Sequence, residues 1–507
     1  MATISSRNSV LGVVTEVTQN LLRLPQSATD YVPLQEDFAI EPNYDQIENL
    51  EIKSSIGRAA SIQGGENPTA SLSFYLKGSG TEGSAPQWGD IARSFFGTQT
   101  IESTQRVTAA ASTFSQINVT GAAAAGLAQG YGVLIKDPVH GYRVRVVHEV
   151  ATNHFHPSFN LPPGNAPGTS VGLGKPVYYT PANSGHPSLS LWWYGGNGGA
   201  TQAVSGALIN DFSYSMTAND SVNASAGFDA LGYFFDPIFI ASTDTYIDFT
   251  DDDGTDAAAI ASRWYKDPHE LAEAITTAMN ASGTTETHLC EYVDATGRYK
   301  FTSTGTVLSL LWNTGTNAAN SVGDKLGFSV AADDTGVAAA TGYTADNAQS
   351  YAAPHTPSFD PTAPIIAKNQ EVMLGDATDY ACFNPSEVTV SLTNGVRKIE
   401  DICAESGRSA AIINSRECEI TVTALLNQYD ASQLARFRNG DSIRFQTTMG
   451  AKSGGNWVPG TVVYSYAPQS KITAISITND DGLVSLQLTL QPFVSDTGTP
   501  EFYLGQL

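Results

Sequence analysis

One segment occurs twice in this chain, and that limits what it can fold into more than any other feature. Gly57-Arg58-Ala59-Ala60-Ser61-Ile62 is echoed by Gly407-Arg408-Ser409-Ala410-Ala411-Ile412. Each copy follows an alternating run, Ile47 to Lys53 in the first and Val388 to Thr393 in the second. Each precedes another such run, Ala70 to Leu76 and Cys418 to Leu425, and then a short helix candidate, Gly89 to Gly97 and Ala431 to Gly440. Alternation marks half-buried strands, and repetition of whole units takes precedence over single elements. The endings agree too. Phe212 to Met216, a turn at Asn219-Asp220 and Val222 to Phe228 match Ile472 to Ile477, Asn479 to Gly482 and Val484 to Leu490. Asn, Asp and Gly tolerate the positive φ that tight hairpins require. The sequence therefore predicts a mainly β chain containing one strand–loop–strand–helix unit in duplicate.

The rest of the chain is placed around these copies. Residues 1–30 read as an extended N-terminal arm that orders against a neighbouring subunit, and 31–235 as the first duplicated domain, with a β insert at about 101–187. Residues 236–350 read as an inserted α+β domain and 361–507 as the second duplicated domain, with an Ala/Thr/Asp-rich linker at roughly 330–360. Within 236–350, Asp267 at an N-cap and Pro268 behind it predict a helix to about Met279.

Composition narrows the function classes. Only 15% of the 507 residues are charged, against about 25% in ordinary domains, and uncharged polar surface is the less costly kind to bury between subunits. The net charge is −24, which disfavours binding to phosphate backbones by counterion release. Residues 236–350 carry 17 acids against 5 bases, half of that excess. Cys290, Cys382, Cys403 and Cys418 have no CxxC spacing and suggest assembly in a reducing cytoplasm. The first residues lack a Sec-type signal pattern, and no apolar run is long enough for a membrane span.

Chemical motifs are weak. Asp251-Asp252-Asp253-Gly254-Thr255-Asp256 opens like a calcium loop, but its twelfth position is Ser262 where a bidentate Glu is needed, so an exposed acidic turn is expected. His148, His154 and His156 cluster without a complete ligand set, Pro157 makes a regular strand there doubtful, and His288 with Cys290 lacks partners. In Trp192-Trp193-Tyr194, strand alternation sends one Trp to a core and the other to an interface. No catalytic, cofactor-binding or metal residue is assigned, no cofactor is expected, and nothing argues for an enzyme.

With the duplication in hand, the chain resembles the major tail tube proteins of long-tailed bacteriophages. The resemblance runs through Ser54-Ser55-Ile56-Gly57-Arg58, Leu72 to Gly80 and Pro86-Gln87-Trp88-Gly89, and returns in Ser415 to Val422 and the closing hairpin. It implies β-sandwich or half-barrel domains with a flanking helix, duplicated here and carrying two inserted small domains. It also implies a virion protein, assembled in the host cytoplasm, whose stacked rings form a channel for DNA. The implied partners are the chain itself, as a pseudo-sixfold ring of three subunits or alternatively of six, and the tape measure, tail terminator and distal tail proteins. Viral DNA would pass without specific binding, and no membrane is involved. A β-rich adhesin or carbohydrate-binding virion surface protein is the alternative.

Overall fold

The computed structural model describes all residues other than 1–5, 36–37, 52–56, 122–125, 138–140, 165, 197–199, 283–284, 352, 405, 426–430, 481–482 and 497. Ser54, Ser55 and Ile56 of the first copy and Asp481-Gly482 of the closing turn therefore lie outside the described residues. The fold is mainly β, as the alternating runs predict. It divides into two compact units. One comprises 10–191, 205–232 and 356–507; the other comprises 1–9, 192–204 and 233–355.

The larger unit is built on an antiparallel sheet whose strands are β1 (Phe38–Glu41), β2 (Thr69–Tyr75), β3 (Ala200–Thr217), β4 (Asn223–Asp229), β5 (Pro385–Glu400), β6 (Arg408–Leu425), β7 (Val463–Asp480) and β8 (Leu483–Pro492). The pairings run β1–β2–β4–β3–β5–β6–β8–β7. Four strands come from each half of the duplication. Helix α1 (Gly89–Phe96) buries Ile91, Phe95 and Phe96, and Gly97 ends it at φ 90°. Phe95 and Phe74 both pack on Phe212, at 6.0 and 6.4 Å between ring centroids.

The two halves are built to one register. In the first, Phe38 pairs with Leu72 and Ile40 with Ala70; after them Tyr44–Ile47 and Ile62–Glu66 continue as a hairpin with Tyr44↔Glu66, Gln46↔Gln63 and Ile47↔Ile62. Adding 350 to each number gives Val388↔Val422, Val390↔Ile420, Asn394↔Arg416, Val396↔Ile413 and Arg397↔Ile412, all of which are paired. The bulge recurs as well, between Tyr44 and Gln46 and between Asn394 and Val396. A second shared bulge lies in the closing hairpins, between Ile209 and Asp211 and between Ile472 and Ala474. A one-residue slip would exchange the faces of a strand, so two matched bulges are hard to reach by chance.

Several expectations need correction. Within the arm, the apolar cluster does not wait for a neighbouring subunit: Val10–Thr15 is a strand paired with Tyr31–Val32, and Leu11, Val13 and Val14 are buried in the unit's own core. Four apolar residues in six supply enough area to anchor the strand without a neighbour. The β insert forms a four-stranded sheet but is no separate module. Its Val133, Ile135, Val144 and Phe155 share a core with Trp457, Tyr464 and Tyr503 of the second half. The cause lies at its roots, where Val177–Pro181 pairs with both Gly97–Ile101 and the C-terminal Tyr503–Gln506. Pro157 ends a regular strand, His154–Pro157, paired with Val147 to Val150. The linker at 330–360 is folded over much of its length, with Ala339, Tyr343 and Ala345 buried in the smaller unit.

In that smaller unit, α2 (Pro268–Asn280) lays Leu271, Ile275 and Met279 into a core with Phe249, Tyr299, Phe301 and Trp312. Asp267 caps it, accepting a 2.8 Å hydrogen bond from Glu270 N. Asp267→Ala should cost about 1 kcal/mol, read as a lower urea midpoint with unchanged slope. Trp192 and Tyr194, two apart, stack at 6.0 Å, and Trp192 also meets Trp264. Alternation thus sends Trp192 and Tyr194 to one core face, while Trp193 is half-buried.

A candidate assembly surface

The two faces of this run of eight strands differ chemically because apolar and hydroxyl residues alternate along them. Leu72, Phe74, Ala226, Tyr214, Val390, Ile420 and Leu488 are buried on one face. The opposite face is dominated by Ser, Thr and Gln, such as Ser71, Ser73, Ser213, Thr389, Thr421 and Gln487. Its acids include Glu41, Asp211, Asp229, Glu387, Glu417 and Glu419, against the bases Lys471 and Arg397. Burial, and then the neighbouring Asp229, raise the Asp211 carboxyl above its ordinary value. This face would repel a polyanion within a Debye length of roughly 8 Å.

Where the halves meet, β3 pairs with β5 from Asp211↔Thr393 to Thr217↔Glu387. The junction is closed on the core side. Tyr214 donates to Ser465 Oγ at 2.6 Å, and the buried Asn394 amide donates to Phe95 O and Ile209 O at 3.2 and 3.1 Å. It is also latched beyond the sheet. Arg408 bonds Asp45 at 2.5 Å and Glu66 O, while Lys398 Nζ reaches Asn67 Oδ1 at 2.6 Å and Asp229 at 3.6 Å. Gly65 permits this approach: a Cβ there would lie 2.8 Å from Ser406 O.

The outer edges of the same sheet are the counterparts of this junction, and among the described pairings they carry no strand. β1 corresponds to β5 and pairs with β2 alone. From Ala474 to Asp480, β7 corresponds to β3 from Asp211 to Thr217 and pairs with β8 alone. Ile477 and Ile40 on their core side are more exposed than their counterparts at the junction. Ile477 is 54% exposed whereas its counterpart Tyr214 is 1% exposed, and Ile40 is half-buried whereas Val390 is fully buried. Unpaired edges with apolar residues are templates for strand addition.

The residues singled out in the sequence serve other purposes. Asp251 is buried rather than exposed; it holds the turn through Asp253 N and Gly254 N and meets His288 Nε2 at 3.2 Å. Asp252 and Asp253 accept hydrogen bonds from the Thr306 and Thr285 backbones and hydroxyls, which hold their carboxyls below the usual value. His148 meets Tyr466 OH at 2.7 Å, and the rings of His154 and His156 lie 5.1 Å apart. Among the described residues no group of three His, Cys, Asp or Glu could hold a metal ion. Cys290, Cys403 and Cys418 are free thiols. A cleft of about 440 Å³ is lined by His186, Arg416, Cys418 and Glu501. In it Arg416 pairs with Glu501 at 3.1 Å, and burial pushes the Cys418 thiol well up. Sequence reasoning missed the role of Arg408, although the motif containing it was in view; what it touches depends on the junction.

No protein-family profile matches the chain, and no curated protein matches it. Among solved structures it is similar to a chain of the virion of a native gene transfer agent particle, at 14% identity and a TM-score of 0.19, covering 25% of this chain and 92% of that one. It is likewise similar to the SPP1 tail tube solved by solid-state NMR and cryo-EM, at 16% identity and a TM-score of 0.20, covering 27% of this chain and 77% of that one.

Proposed function

We propose that this chain is a structural virion protein, a tail tube subunit whose copies join edge to edge into rings that stack around a channel for DNA. The observation that carries this reading is the β3–β5 junction, which joins two register-matched halves, while among the described pairings the corresponding edges of the sheet carry no further strand. A contact between different edges is heterologous and either closes a ring or runs on without end. With two half-sheets per chain, three chains would give a pseudo-sixfold ring. The hydroxyl-rich face, on which acids outnumber bases, would then line the channel, and such a wall keeps a duplex from adhering through its phosphates. Tape measure, terminator and distal tail proteins would meet the ends of such a tube.

The internal junction also gives the register. Asp211↔Thr393 and Ser215↔Thr389 transfer to Ala474↔Asn43 and Thr478↔Ala39 between copies. In assembled protein, Ala39→Cys with Thr478→Cys should form an intermolecular disulfide on mild oxidation, giving ladders on a non-reducing gel. Ala39→Cys with Thr473→Cys, several residues out of register, should not. Monomers alone at all concentrations, with no rings or tubes by electron microscopy, would overturn the reading.

A further inference from the structure

We infer that Arg58 latches each copy to the next by gripping the second hairpin of the neighbouring copy on its strand at Arg416-Glu417. This rests on the edge-to-edge reading above. The observation behind it is the repeated Gly-Arg pair itself. In the second half, Arg408 is 90% buried and crosses the internal junction to Asp45 and the Glu66 carbonyl of the first half. Its counterpart 350 residues earlier is Arg58, on the first hairpin, at the free edge. Arg58 touches Glu48 of its own hairpin, and its side chain is 79% exposed. One member of a duplicated pair is spent holding two half-sheets together; the other is presented where the next half-sheet would dock.

The receiving side follows from the same offset. Glu66 corresponds to Arg416, whose carbonyl can accept as that of Glu66 does. Asp45 corresponds to Gly395, so that carboxylate is missing from the receiving hairpin. Asn67, which meets Lys398 at the internal junction, corresponds to Glu417, an exposed acid on the strand that follows. The Arg416 guanidinium would oppose a second arginine, but Glu501 already pairs with it at 3.1 Å. Gly65 corresponds to Ser415, whose Cβ prevents the close backbone approach that Gly65 permits. A long side chain is then the means left to bridge the two hairpins. A guanidinium can serve Glu48, Glu417 and a carbonyl together through its five donors.

The test uses the full-length chain and measures the concentration at which rings form, by sedimentation velocity, beside the melting temperature of the monomer. Arg58→Glu should raise that concentration at least tenfold with the monomer's melting temperature unchanged. Arg408→Ala should instead lower the monomer's melting temperature, because its partners are internal. Combining Arg58→Glu with Glu417→Arg should restore assembly to within about threefold of wild type. If Arg58→Glu disturbs the monomer, Arg58→Gln provides the same comparison without a reversed charge. Wild-type protein that assembles while Arg58→Glu and Arg58→Gln assemble equally well would overturn the latch and leave the ring reading standing. Loss of assembly without rescue by Glu417→Arg would overturn Glu417 as the receiving acid. Wild-type protein that never assembles would overturn both.

Discussion

Ile477→Asp is expected to abolish ring formation while leaving the monomer folded. Ile477 lies on the core side of the free part of β7, 54% exposed, so the monomer surrenders little buried apolar area when it is replaced. Its counterpart Tyr214 shows what the position becomes in a closed junction: 1% exposed, and hydrogen-bonded to Ser465 across the core. A carboxylate forced into that setting without a partner costs about 3–5 kcal/mol, and 3 kcal/mol already exceeds a hundredfold in association. The expected result is a monomer peak in sedimentation velocity at concentrations where the proposed assembly gives rings of wild type, with superimposable circular dichroism. Tyr214→Asp is the internal control and should unfold the monomer. Normal rings from Ile477→Asp would mean that this edge is not the contact.

The second large effect belongs to Glu16, a buried carboxylate just past the first strand of the larger unit. It accepts four hydrogen bonds, from Ser188 Oγ at 2.6 Å, Ser190 Oγ at 2.8 Å, Gly206 N at 2.8 Å and Asn20 N at 2.9 Å. Gly206 turns its N–H to the carboxylate at φ 64°, where a Cβ would also lie 2.8 Å from the Leu231 side chain. Glu16→Ala strips two backbone donors and two hydroxyls of their acceptor. At about 1–3 kcal/mol for each orphaned buried group, a loss of about 3 kcal/mol or more is expected in urea denaturation. Burial outweighs these hydrogen bonds and raises the Glu16 carboxyl above its ordinary value of 4.5. The folded chain therefore holds this proton more tightly than the unfolded chain. Stability from this group rises as pH falls from the raised value to 4.5 and is flat above both. Glu16→Gln, which cannot titrate, should lose that slope while destabilising less than Glu16→Ala.

Local chemistry made the duplication legible. Strand alternation, the recurring Gly-Arg pair, the helix-ending glycines and the Asn-Asp turns are short-range signals, and they gave most element types, the helix at Asp267 and the 350-residue offset. Yet they misplaced the strand before the first Gly-Arg pair, which is Phe38–Glu41 and not Ile47 to Lys53. They could not tell that Val10 to Val14 pack inward, because an apolar cluster reads the same whether its own core or a neighbour covers it. They could not tell that Asp251 is buried, since an acidic turn looks exposed until His288 is brought beside it. Nor could they separate Arg58 from Arg408, which share a motif but differ in surroundings. Only the tertiary structure decided that, by pairing β3 with β5 and leaving β1 and β7 open. A strand's sequence specifies which face is apolar; which edge finds a partner depends on residues far away in the chain.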